Sequence, residues 1–475
     1  MTKTIIKTGL FIGGEWKASE ETQDVYNKFT QTVFLQTASA GKEEVDEAAA
    51  AAKKAYHTTF TPYERYEVLT KAAELIKDNE EELASILVAE VGKPIKESKG
   101  EVIRAAQTME ISAEEAKRLS GHGVPVEAAL GSENRQAFTK RVPVGVVAAI
   151  TPFNVPLNLV CHKVGPALAA GNSVVLKPAS ATPLSAIRLA EILDEAGLPA
   201  GRLNVVTGSG SGIGDWLCGN PDVNMYTFTG SPEVGSHLQA KAGLRKVMLE
   251  LGNNSAAVVH HDADLETAAK ALAQKSFNNA GQVCISVQRI YVHKEVYDTF
   301  VQQLKQETEK LTTGDPGKET TDVGPMISES EAIRVEKWVS EAVEAGADVL
   351  TGGIRNGPFY EPTILTNIQD DMKVCKEEVF GPIVSVAVYS SEEEVIQRVN
   401  DSKYGLQAGV FTNSLDFAMK ASNEMEVGGL IINDTPGYRV DHMPYGGVKQ
   451  SGNGKEGPKY AIQEMTEERL IVFNL

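Results

Sequence analysis

The sequence predicts an α/β fold built around two parallel sheets, and three observations lead to this prediction. From Val142 onward, short apolar segments alternate with segments that repeat apolar residues at helical spacing. The apolar segments are continuous, which is typical of strands covered on both faces. The alternation starts again after Gly252, so a second domain of the same class is expected. A chain of 475 residues has room for roughly two to four domains of ordinary size.

The residues before this alternation have a different pattern. Apolar residues at helical spacing predict three helices, over residues 42–57, 62–91 and 100–119. After Gly121, Pro and Gly residues separate short segments, and residues 124–126 and 138–141 are predicted to form two strands of a protruding ribbon. The exposed edge of such a ribbon often pairs with another strand.

The elements of the first α/β domain follow from the same patterns. Its strands are predicted at residues 144–150, 173–177, 203–206, 223–228 and 246–250. Its helices are predicted at residues 156–170, 183–196, 212–218 and 232–243. Because strands and helices alternate, the strands should form a doubly wound parallel sheet.

The second domain is predicted to continue in the same way as far as the strand at residues 429–433. Its strands are expected at residues 256–259, 288–292, 383–388, 408–411 and 429–433, and its helices at 265–278, 296–311 and 331–345. A last strand at 469–473 has no neighbour close in sequence. Either the ribbon at 121–141 or another subunit is therefore its expected partner.

Charge and cysteine content exclude several classes of protein. The 64 acidic and 46 basic side chains give a formal charge of -18, which disfavours nucleic acid and anionic membranes as partners. The four cysteines show no CxxC spacing, so neither a disulfide framework nor a metal site is predicted. No run approaches the roughly 20 apolar residues of a membrane span, and the first residues lack the apolar stretch of a signal peptide. A cytoplasmic protein is expected.

Cys284 is the first candidate for chemistry. It stands in the run Asn278-Asn279-Ala280-Gly281-Gln282-Val283-Cys284-Ile285, in which small and polar residues predominate. A cysteine taken alone is more often a packed core residue than a nucleophile. A thiolate is nevertheless a strong nucleophile, and Gly281 lets the backbone approach a reacting carbonyl closely. The carboxyl of Glu250 and the amide of Asn154 also stand beside Gly or Pro turn signals, so the three groups together predict a catalytic site.

Two strand ends of the first domain are candidate nucleotide sites, since ligands of open parallel sheets collect at the carboxyl ends of strands. One strand ends at Lys177, a cation that could meet a ribose or a phosphate. Another ends at Phe228 and runs into a turn at Gly230 that opens a helix, whose free N–H groups favour an anion. An ordinary helix cap explains that turn equally well. The glycine-rich run 208–214 does not satisfy GxGxxG, because Ile213 takes the place of the third glycine.

Six short motifs occur from residue 152 to residue 382. They are Pro152-Phe153-Asn154, Lys177-Pro178, Phe228-Thr229-Gly230-Ser231, Glu250-Leu251-Gly252, Gly281-Gln282-Val283-Cys284 and Glu378-Val379-Phe380-Gly381-Pro382. The order and approximate spacing of these motifs resemble those of the aldehyde dehydrogenase superfamily. The resemblance covers nearly the whole chain. Members of that family oxidise aldehydes to carboxylic acids with NAD or NADP.

The resemblance implies a Rossmann-type nucleotide-binding domain, an α/β catalytic domain and a small β oligomerisation arm. The nucleotide-binding domain would take residues 1–120 and 142–252, the catalytic domain 253–449, and the arm 121–141 and 450–475. Relatives are usually homodimers or homotetramers in which the arm pairs across subunits, and the same is expected here.

The resemblance also implies roles for the site residues. Cys284 would attack the aldehyde carbon, its backbone N–H and the Asn154 amide would hold the oxyanion, and Glu250 would act as general base for hydrolysis of the thioester. Lys177 and Glu378 would bind the two riboses of NAD or NADP. The residues expected at the cofactor are Thr151, Phe153, Lys177, Ser180, Gly212, Phe228, Gly230, Ser231, Val234, Leu251, Glu378 and Phe380.

Ser180 departs from the pattern of many NAD-preferring relatives, in which a glutamate follows Lys-Pro-Ala and pairs with ribose hydroxyls. Without that carboxylate, nothing at this position repels a 2′-phosphate, so NADP should be accepted. The choice between the two cofactors stays open.

The aldehyde is the least defined part of the prediction. The resemblance places Leu159, His162, Ile285, Tyr438 and Tyr445 along the substrate tunnel. Arg439 and the pair His162-Lys163 could attract a carboxylate, phosphate or sulfonate, although basic residues at a pocket rim are at least as often solvated or paired. A short or anionic aldehyde is predicted, of the lactaldehyde, succinate semialdehyde, or phospho- or sulfo-glyceraldehyde type.

Four alternatives remain. The first is an aromatic aldehyde as substrate. The second is a CoA-acylating dehydrogenase, whose members generally lack the glutamate that is present here as Glu250. The third is a thiol hydrolase, which needs a histidine near Cys284; the nearest in sequence, His293, lies beyond a predicted strand. The fourth is a non-catalytic scaffold, against which the presence of all three reactive groups argues.

Overall fold

The amino-terminal segment contains short strands that the sequence patterns do not predict. The computed structural model, which describes residues 5–475, has β1 (Ile6–Thr8), β2 (Leu10–Ile12), β3 (Glu15–Lys17), β4 (Thr22–Tyr26) and β5 (Val33–Ala38). Strands of three to six residues carry too little periodicity to be recognised. Strands β1, β5 and β4 form a small sheet, whereas the β2–β3 hairpin extends the first large sheet.

Four helices follow, and they occupy the region in which the sequence predicts three. They are α1 (Lys42–Tyr56), α2 (Pro62–Asp78), α3 (Glu80–Val91) and α4 (Ile95–Ala116). The predicted helix at 62–91 is divided at Asn79, whose side-chain amide donates a 2.8 Å hydrogen bond to the Leu75 carbonyl. Asn79 ends one helix and begins the next, because its short polar side chain competes with the helical hydrogen bonds of the backbone.

The predicted ribbon is present as β6 (Gly123–Val124) and β7 (Arg135–Pro143), which pair antiparallel. The predicted alternation of strands and helices then begins. Its elements are β8 (Val146–Ile150), α5 (Asn158–Ala170), β9 (Ser173–Lys177), α6 (Leu184–Glu195), β10 (Leu203–Val205), α7 (Gly210–Gly219), β11 (Met225–Thr229), α8 (Pro232–Ala242) and β12 (Lys246–Glu250).

The five strands β12, β11, β8, β9 and β10 lie side by side in that order and are parallel, which confirms the doubly wound sheet. The chain proceeds outward from β8 in one direction and then returns to β11 on its other side. This reversal leaves a crevice at the carboxyl ends of β8 and β11, where sheets of this class bind ligands.

The second large sheet is built from residues 256–432. Its region contains β13 (Ala256–Val259), α9 (Leu265–Phe277), β14 (Arg289–His293), α10 (Tyr297–Glu309), α11 (Glu329–Glu344), β15 (Asp348–Thr351), β16 (Arg355–Asn356), β17 (Phe359–Tyr360), β18 (Thr363–Thr366), α12 (Lys373–Lys376), β19 (Ile383–Tyr389), α13 (Glu392–Asn400), β20 (Gln407–Phe411), α14 (Leu415–Glu424) and β21 (Gly429–Ile432). The sheet order is β15-β18-β19-β14-β13-β20-β21, and only β15 is antiparallel to its neighbour. The predicted second α/β unit is confirmed, although β15 to β18 and α12 to α14 were not expected.

The carboxyl-terminal segment connects both parts of the chain. It contains β22 (Gly452–Asn453), α15 (Pro458–Glu464) and β23 (Thr466–Asn474). Strand β23 pairs with β7 along its whole length, from Thr466 opposite Pro143 to Asn474 opposite Arg135. The ribbon is therefore the partner of the last strand. By contrast, β22 pairs with β12 and becomes the edge of the first large sheet.

Apolar side chains fill both faces of each large sheet. One cluster packs α2, α4 and α5 against the first sheet, and another packs α1 and α7 on its opposite face. Two corresponding clusters cover the faces of the second sheet. Within residues 5–475, no helix combines the length and the apolar character needed to cross a membrane.

The two large sheets meet end to end. The carboxyl end of β12 leads within a few residues to Asn253, whose backbone N–H donates a 2.9 Å hydrogen bond to Glu378 in the loop before β19. The carboxyl ends of the first sheet thus face the amino ends of the second. Loops from both sheets converge in this region, and it contains the residues that the sequence singles out.

Candidate active site

The loop that carries Cys284 is held in an unusual backbone conformation. Asn279, Ala280 and Gly281 all have left-handed φ angles, of 49°, 55° and 71°. A Cβ on Gly281 would stand 2.0 Å from the carbonyl oxygen of Gly381, so only glycine allows the two loops to approach so closely. The loop before β14 is thereby fixed against the loop before β19.

Cys284 is a free, half-buried thiol at the end of this loop. Its Sγ lies 2.8 Å from the hydroxyl oxygen of Tyr445. Burial raises the pKa of Cys284 to about 12, although the hydrogen bond to Tyr445 and the charge of Arg439 oppose the increase. In the isolated protein the sulfur is therefore a neutral thiol near neutral pH, and it needs further stabilisation or a base to react as a thiolate.

The Asn154 side chain is buried beside the same loop. Its Nδ2 donates a 2.8 Å hydrogen bond to the carbonyl of Gln282, two residues before the cysteine. The Asn279 amide in turn donates to the Asn154 carbonyl at 3.2 Å. These hydrogen bonds hold Asn154 against the cysteine loop. The second N–H of its side-chain amide can therefore donate a hydrogen bond to an oxygen atom near Cys284.

Glu250 ends β12 and is buried. Within the described chain, neither carboxyl oxygen of Glu250 has a hydrogen-bond partner. Burial, reinforced by the charge of Glu456, raises the pKa of Glu250 well above its ordinary value. A Cβ on Gly446 would stand 2.7 Å from Glu250 Oε1, and Gly446 follows Tyr445, the contact of Cys284. The carboxyl, the thiol and the Asn154 amide are thus brought to one place.

A second buried carboxyl, Glu456, carries the negative charge of this region. It accepts hydrogen bonds from Lys163 at 3.1 Å and from Arg439 at 2.9 Å, and Lys163 also donates to Thr227 at 3.2 Å. Burial alone would raise the pKa of Glu456, but the charges of Lys163 and Arg439 outweigh it and lower the pKa to about 2. Of the two carboxyls, Glu456 therefore favours the ionised form, whereas burial makes Glu250 harder to ionise.

His162 and Lys163, predicted at the rim of the pocket, are instead in the interior. His162 is 0% exposed, and its Nε2 lies 2.9 Å from Asp441. Arg104 holds the same carboxylate with two hydrogen bonds, of 3.0 and 2.8 Å. Since α5 is buried on all sides, neither His162 nor Lys163 faces an open pocket. Leu159, on the same helix, is buried as well.

The other candidate substrate residues differ in exposure. Tyr445 and Ile285 are buried in one apolar cluster, whereas Tyr438 is 46% exposed. The Arg439 guanidinium lies 3.7 Å from the centre of the Tyr445 ring. Its side chain is 7% exposed, and within the described chain its Nε has no hydrogen-bond partner. A buried cation with an unused N–H is thus present beside the residue that contacts Cys284.

The crevice between β8 and β11 has unsatisfied polar groups that fit a nucleotide. Thr151 follows β8 and Thr229 ends β11, and within the described chain neither side-chain hydroxyl has a hydrogen-bond partner. At the end of β9, Lys177 Nζ lies 3.3 Å from the hydroxyl of Ser180, which donates to the Gly208 carbonyl at 2.6 Å. Burial lowers the pKa of Lys177 to about 8.

The turn after β11 opens α8 with free backbone N–H groups. Ser231 caps this helix by accepting a 3.4 Å hydrogen bond from the backbone of Val234, which is exposed. The Phe228 ring packs under Gly230, and Leu251 packs against the first turn of the helix at Gly235. Gly212, by comparison, lies in the first turn of α7. The first residue of α7, Gly210, lies beside the end of β9, since a Cβ there would stand 3.7 Å from Lys177 Nζ.

Glu378 and two aromatic rings lie between the two sheets. Glu378 Oε1 accepts the Asn253 hydrogen bond, and burial raises the pKa of Glu378 to about 7. Phe380 has a left-handed φ of 49°, and its ring meets that of Phe153 edge-on at a centroid distance of 5.7 Å. Phe380 thus packs against the loop of the first sheet that carries Asn154.

Four residues of this region were not singled out from the sequence: Thr229, Glu456, Asp441 and Arg104. Thr229 directly follows the predicted strand that ends at Phe228, at the ligand-binding edge of the sheet, and that position was the available signal. Arg104 and Asp441 are 337 residues apart, so no local pattern could pair them. Among residues 5–475, no group of three or more His, Cys, Asp and Glu side chains is arranged to hold a metal ion.

Comparison with known proteins identifies the family. Residues 16–471 match the aldehyde dehydrogenase family. The chain is 67% identical over 467 residues to the 3-sulfolactaldehyde dehydrogenase of Priestia megaterium, covering 98% of both chains. It is 42% identical over 471 residues to the lactaldehyde dehydrogenase of Methanococcus vannielii, covering 98% of this chain and 100% of the relative.

Solved structures agree. Aldehyde dehydrogenase 21 from Physcomitrella patens, in complex with the reaction product succinate, is similar with a TM-score of 0.96 and 40% identity over 99% of both chains. Glyceraldehyde-3-phosphate dehydrogenase from Methanocaldococcus jannaschii, complexed with NADP, has a TM-score of 0.92 and 40% identity over 96% of this chain and 100% of that one. The chain belongs to the aldehyde dehydrogenase family and is an NAD(P)-dependent aldehyde dehydrogenase.

Proposed function

We propose that this enzyme oxidises a three-carbon aldehyde with an anionic group on its third carbon, of the 3-sulfolactaldehyde type, to the carboxylate. The observation that carries this proposal is the position of Arg439, a buried cation stacked on Tyr445, which contacts the Cys284 thiol. The relative that is 67% identical is a 3-sulfolactaldehyde dehydrogenase, which supports the same substrate class.

The charge of the whole chain makes this local cation necessary. A formal charge of -18 repels an anionic substrate, so binding requires a positive group close to the reacting thiol. The Tyr445 side chain lies between the Cys284 thiol and the Arg439 guanidinium. Because only this one side chain separates the reacting thiol from the cation, a short substrate is favoured. The free Nε–H of Arg439 can donate to a sulfonate or phosphate oxygen.

Cys284 is the proposed nucleophile. Its thiolate forms a bond to the carbonyl carbon while the carbonyl π electrons move to the oxygen. The backbone N–H of Cys284 and the amide of Asn154 stabilise the resulting oxyanion, and removal of one such donor typically costs about 10²–10³-fold in rate. When bound, the nicotinamide cofactor accepts hydride from this carbon.

Glu250 is the proposed general base for the second half of the reaction. Water attacks the thioester on Cys284, its proton moves to the Glu250 carboxylate, and the thiolate leaves. The raised pKa of Glu250 makes its ionised form a stronger base than an ordinary carboxylate. Glu456, already neutralised by Lys163 and Arg439, is less suited to this role.

The crevice between β8 and β11 is the proposed cofactor site. The unsatisfied hydroxyls of Thr151 and Thr229, the turn at Gly230 and Ser231, and Lys177 would hold the nucleotide. Phe153, Gly212, Phe228, Val234 and Leu251 would complete the lining, and Glu378 and Phe380 would meet the nicotinamide end. Because Ser180 is uncharged, we propose that the enzyme accepts NADP as well as NAD.

Hydrolysis is favoured over transfer to coenzyme A by one further feature. A CoA-acylating enzyme has no need of a general base near the thioester, yet Glu250 is buried there, and neither of its oxygens has a hydrogen-bond partner among residues 5–475. Its desolvation is costly and is easiest to explain by a role in catalysis.

We also propose that the enzyme is a homodimer or homotetramer in the cytoplasm. The sheet formed by β6, β7 and β23 exposes the apolar side chains Phe138, Leu470, Val472 and Phe473, which favours pairing with another subunit. The four cysteines are unpaired, as in a reducing compartment. Of the residues predicted above for the oligomerisation arm, 121–141 and the last strand would form the arm.

A substrate panel tests the proposal. 3-Sulfolactaldehyde, glyceraldehyde 3-phosphate, succinate semialdehyde, lactaldehyde and benzaldehyde are each assayed with NAD and NADP, with and without coenzyme A. The expected result is the highest kcat/KM for the three-carbon anionic aldehydes, with the free acid as product in all cases. Cys284→Ala should abolish oxidation while the cofactor still binds. Preference for benzaldehyde, an acyl-CoA product, or oxidation by Cys284→Ala would overturn the corresponding part.

A further inference from the structure

Among residues 5–475, the hydroxyl group of Tyr445 has one hydrogen-bond partner. Tyr445 is 2% exposed and packs against Ile285 and Leu406, so its ring is fixed. Its hydroxyl oxygen lies 2.8 Å from Cys284 Sγ and, within the described chain, makes no other hydrogen bond. A buried hydroxyl normally needs a partner, and here the partner is the nucleophile proposed above.

The direction of this hydrogen bond depends on the state of the sulfur. While the thiol is neutral, either group can donate. Once the thiol loses its proton, only the phenol can donate, and a hydrogen bond to a charged acceptor is stronger than one between neutral groups. Burial, followed by the charge of Cys284, raises the pKa of Tyr445 well above its ordinary value, so the phenol keeps its proton.

The ring of Tyr445 is in turn polarised by Arg439. The guanidinium lies 3.7 Å from the ring centre, within the range of a cation–π interaction. A positive charge on the ring face draws electron density from the phenol oxygen, which makes its O–H a better donor. The remaining charged groups that act on the thiol are Glu250, from the end of β12, and Glu378, from the loop before β19, and both disfavour a thiolate.

We propose that Tyr445 is a catalytic residue whose hydroxyl donates a hydrogen bond to the Cys284 thiolate and so makes the nucleophile easier to ionise between two carboxyl groups. The proposal rests on the assignment of Cys284 as nucleophile. The same bond lowers the reactivity of each thiolate, because stabilised charge on sulfur is less nucleophilic. Loss of the hydroxyl should therefore decrease the fraction of thiolate and increase the reactivity of the thiolate that remains.

The test is the pH dependence of Cys284 alkylation by iodoacetamide in the full chain without cofactor. Tyr445→Phe keeps the ring and removes the hydroxyl. Relative to the unmodified enzyme, its alkylation midpoint should rise by about one pH unit or more, and labelling at neutral pH should be about 3- to 10-fold slower, depending on how much the reactivity of the remaining thiolate increases. The rate constant on the alkaline plateau should be equal or higher. An unchanged midpoint, or a plateau lowered in proportion, would overturn the proposal.

Matched controls separate this effect from loss of structure. Tyr297→Phe removes a phenol hydroxyl from α10, where the ring packs on the core of the second sheet, and should leave the midpoint unchanged. Cys284→Ser reports labelling of the other three cysteines, which is subtracted. Its aldehyde oxidation tests the assignment of the nucleophile separately: activity there would reject the proposed function, whatever the alkylation profile of Tyr445→Phe shows.

A second variant keeps the test valid if Tyr445→Phe folds poorly. 3-Fluorotyrosine placed at position 445 preserves the ring and the hydroxyl and makes the phenol a stronger donor. The alkylation midpoint should then move to lower pH, opposite to the effect of phenylalanine. A midpoint that stays the same or moves upward would contradict donation from this hydroxyl.

Discussion

The carboxyl group of Glu250 lies directly against the backbone of Gly446, where a Cβ would stand 2.7 Å from Oε1. Gly446 follows Tyr445, whose hydroxyl contacts Cys284. One short segment of chain therefore touches both the candidate base and the candidate nucleophile. The absence of a side chain at residue 446 leaves the space that the Glu250 carboxyl occupies.

Gly446→Ala should displace the Glu250 carboxyl and slow thioester hydrolysis. The added methyl would also meet the Gly454 carbonyl at 2.4 Å, so the backbone offers it no alternative space. A displacement of about 1 Å can cost up to about 10²-fold in rate. Rapid mixing should show a burst of reduced cofactor followed by a slow steady state.

The control for this change is Gly100→Ala on α4, where a Cβ meets no atom within 4 Å. That variant should keep the steady-state rate and gain slightly in stability, since alanine favours the helix. If Gly446→Ala turned over as fast as the unmodified enzyme, the close fit of residues 250 and 446 would have no catalytic consequence.

Glu250→Gln should separate the two half-reactions. Glutamine keeps the shape of the side chain but cannot accept the proton of the attacking water. Loss of a general base typically costs about 10²–10⁴-fold, and this cost should appear in hydrolysis, not in the burst. Loss of the burst itself would instead assign Glu250 to the first step.

The hydrolysis rate should rise with pH across the neutral range. Burial and Glu456 raise the pKa of Glu250, and only the ionised form acts as base. An ordinary glutamate, with a pKa of about 4.3, would already be fully ionised at neutral pH and would give a flat profile. Single-turnover decay of the acylated enzyme isolates this step, and the rise should disappear in Glu250→Gln. A flat profile for the unmodified enzyme would contradict the raised pKa.

Ser180→Glu should shift the cofactor preference toward NAD. The new carboxylate would lie near Lys177, whose Nζ is now 3.3 Å from the Ser180 hydroxyl, and would repel a 2′-phosphate. This repulsion between like charges in close contact should lower the ratio of kcat/KM for NADP to kcat/KM for NAD by about 10-fold or more. Ser180→Gln, similar in size but uncharged, should change the ratio much less. Equal ratios in the two variants would exclude charge as the cause.

Arg439→Gln should reduce the preference for anionic aldehydes. The substitution removes the cation next to Tyr445, so kcat/KM for 3-sulfolactaldehyde relative to lactaldehyde should fall by about 10-fold or more. Because Glu456 also loses a partner, the ratio of substrates is the informative quantity. Arg118→Gln removes the same charge from an exposed position and should leave the ratio unchanged. An unchanged ratio in Arg439→Gln would exclude this residue from recognition of the anion.

The sequence predicted the parallel sheets because their strands are continuous apolar runs, and burial on both faces leaves a pattern that local inspection can read. The strands β8, β9, β11 and β12 all begin and end within a few residues of their predicted limits. The short strands before residue 40 and the break at Asn79 were not predicted. Strands of three to six residues show no clear period, and a single polar residue seldom ends a long helix.

The catalytic candidates Cys284, Glu250 and Asn154 were also identified from the sequence, since each stands in a distinctive motif beside Gly or Pro. Only the tertiary structure determined how the pKa values of the buried groups in the site are shifted. The lowered pKa of Glu456, the raised pKa of Glu250 and the interior position of His162 depend on partners hundreds of residues away, such as Lys163 for Glu456 and Asp441 for His162. Motifs are local and survive in the linear sequence, whereas desolvation and charge pairing exist only once distant segments are packed together.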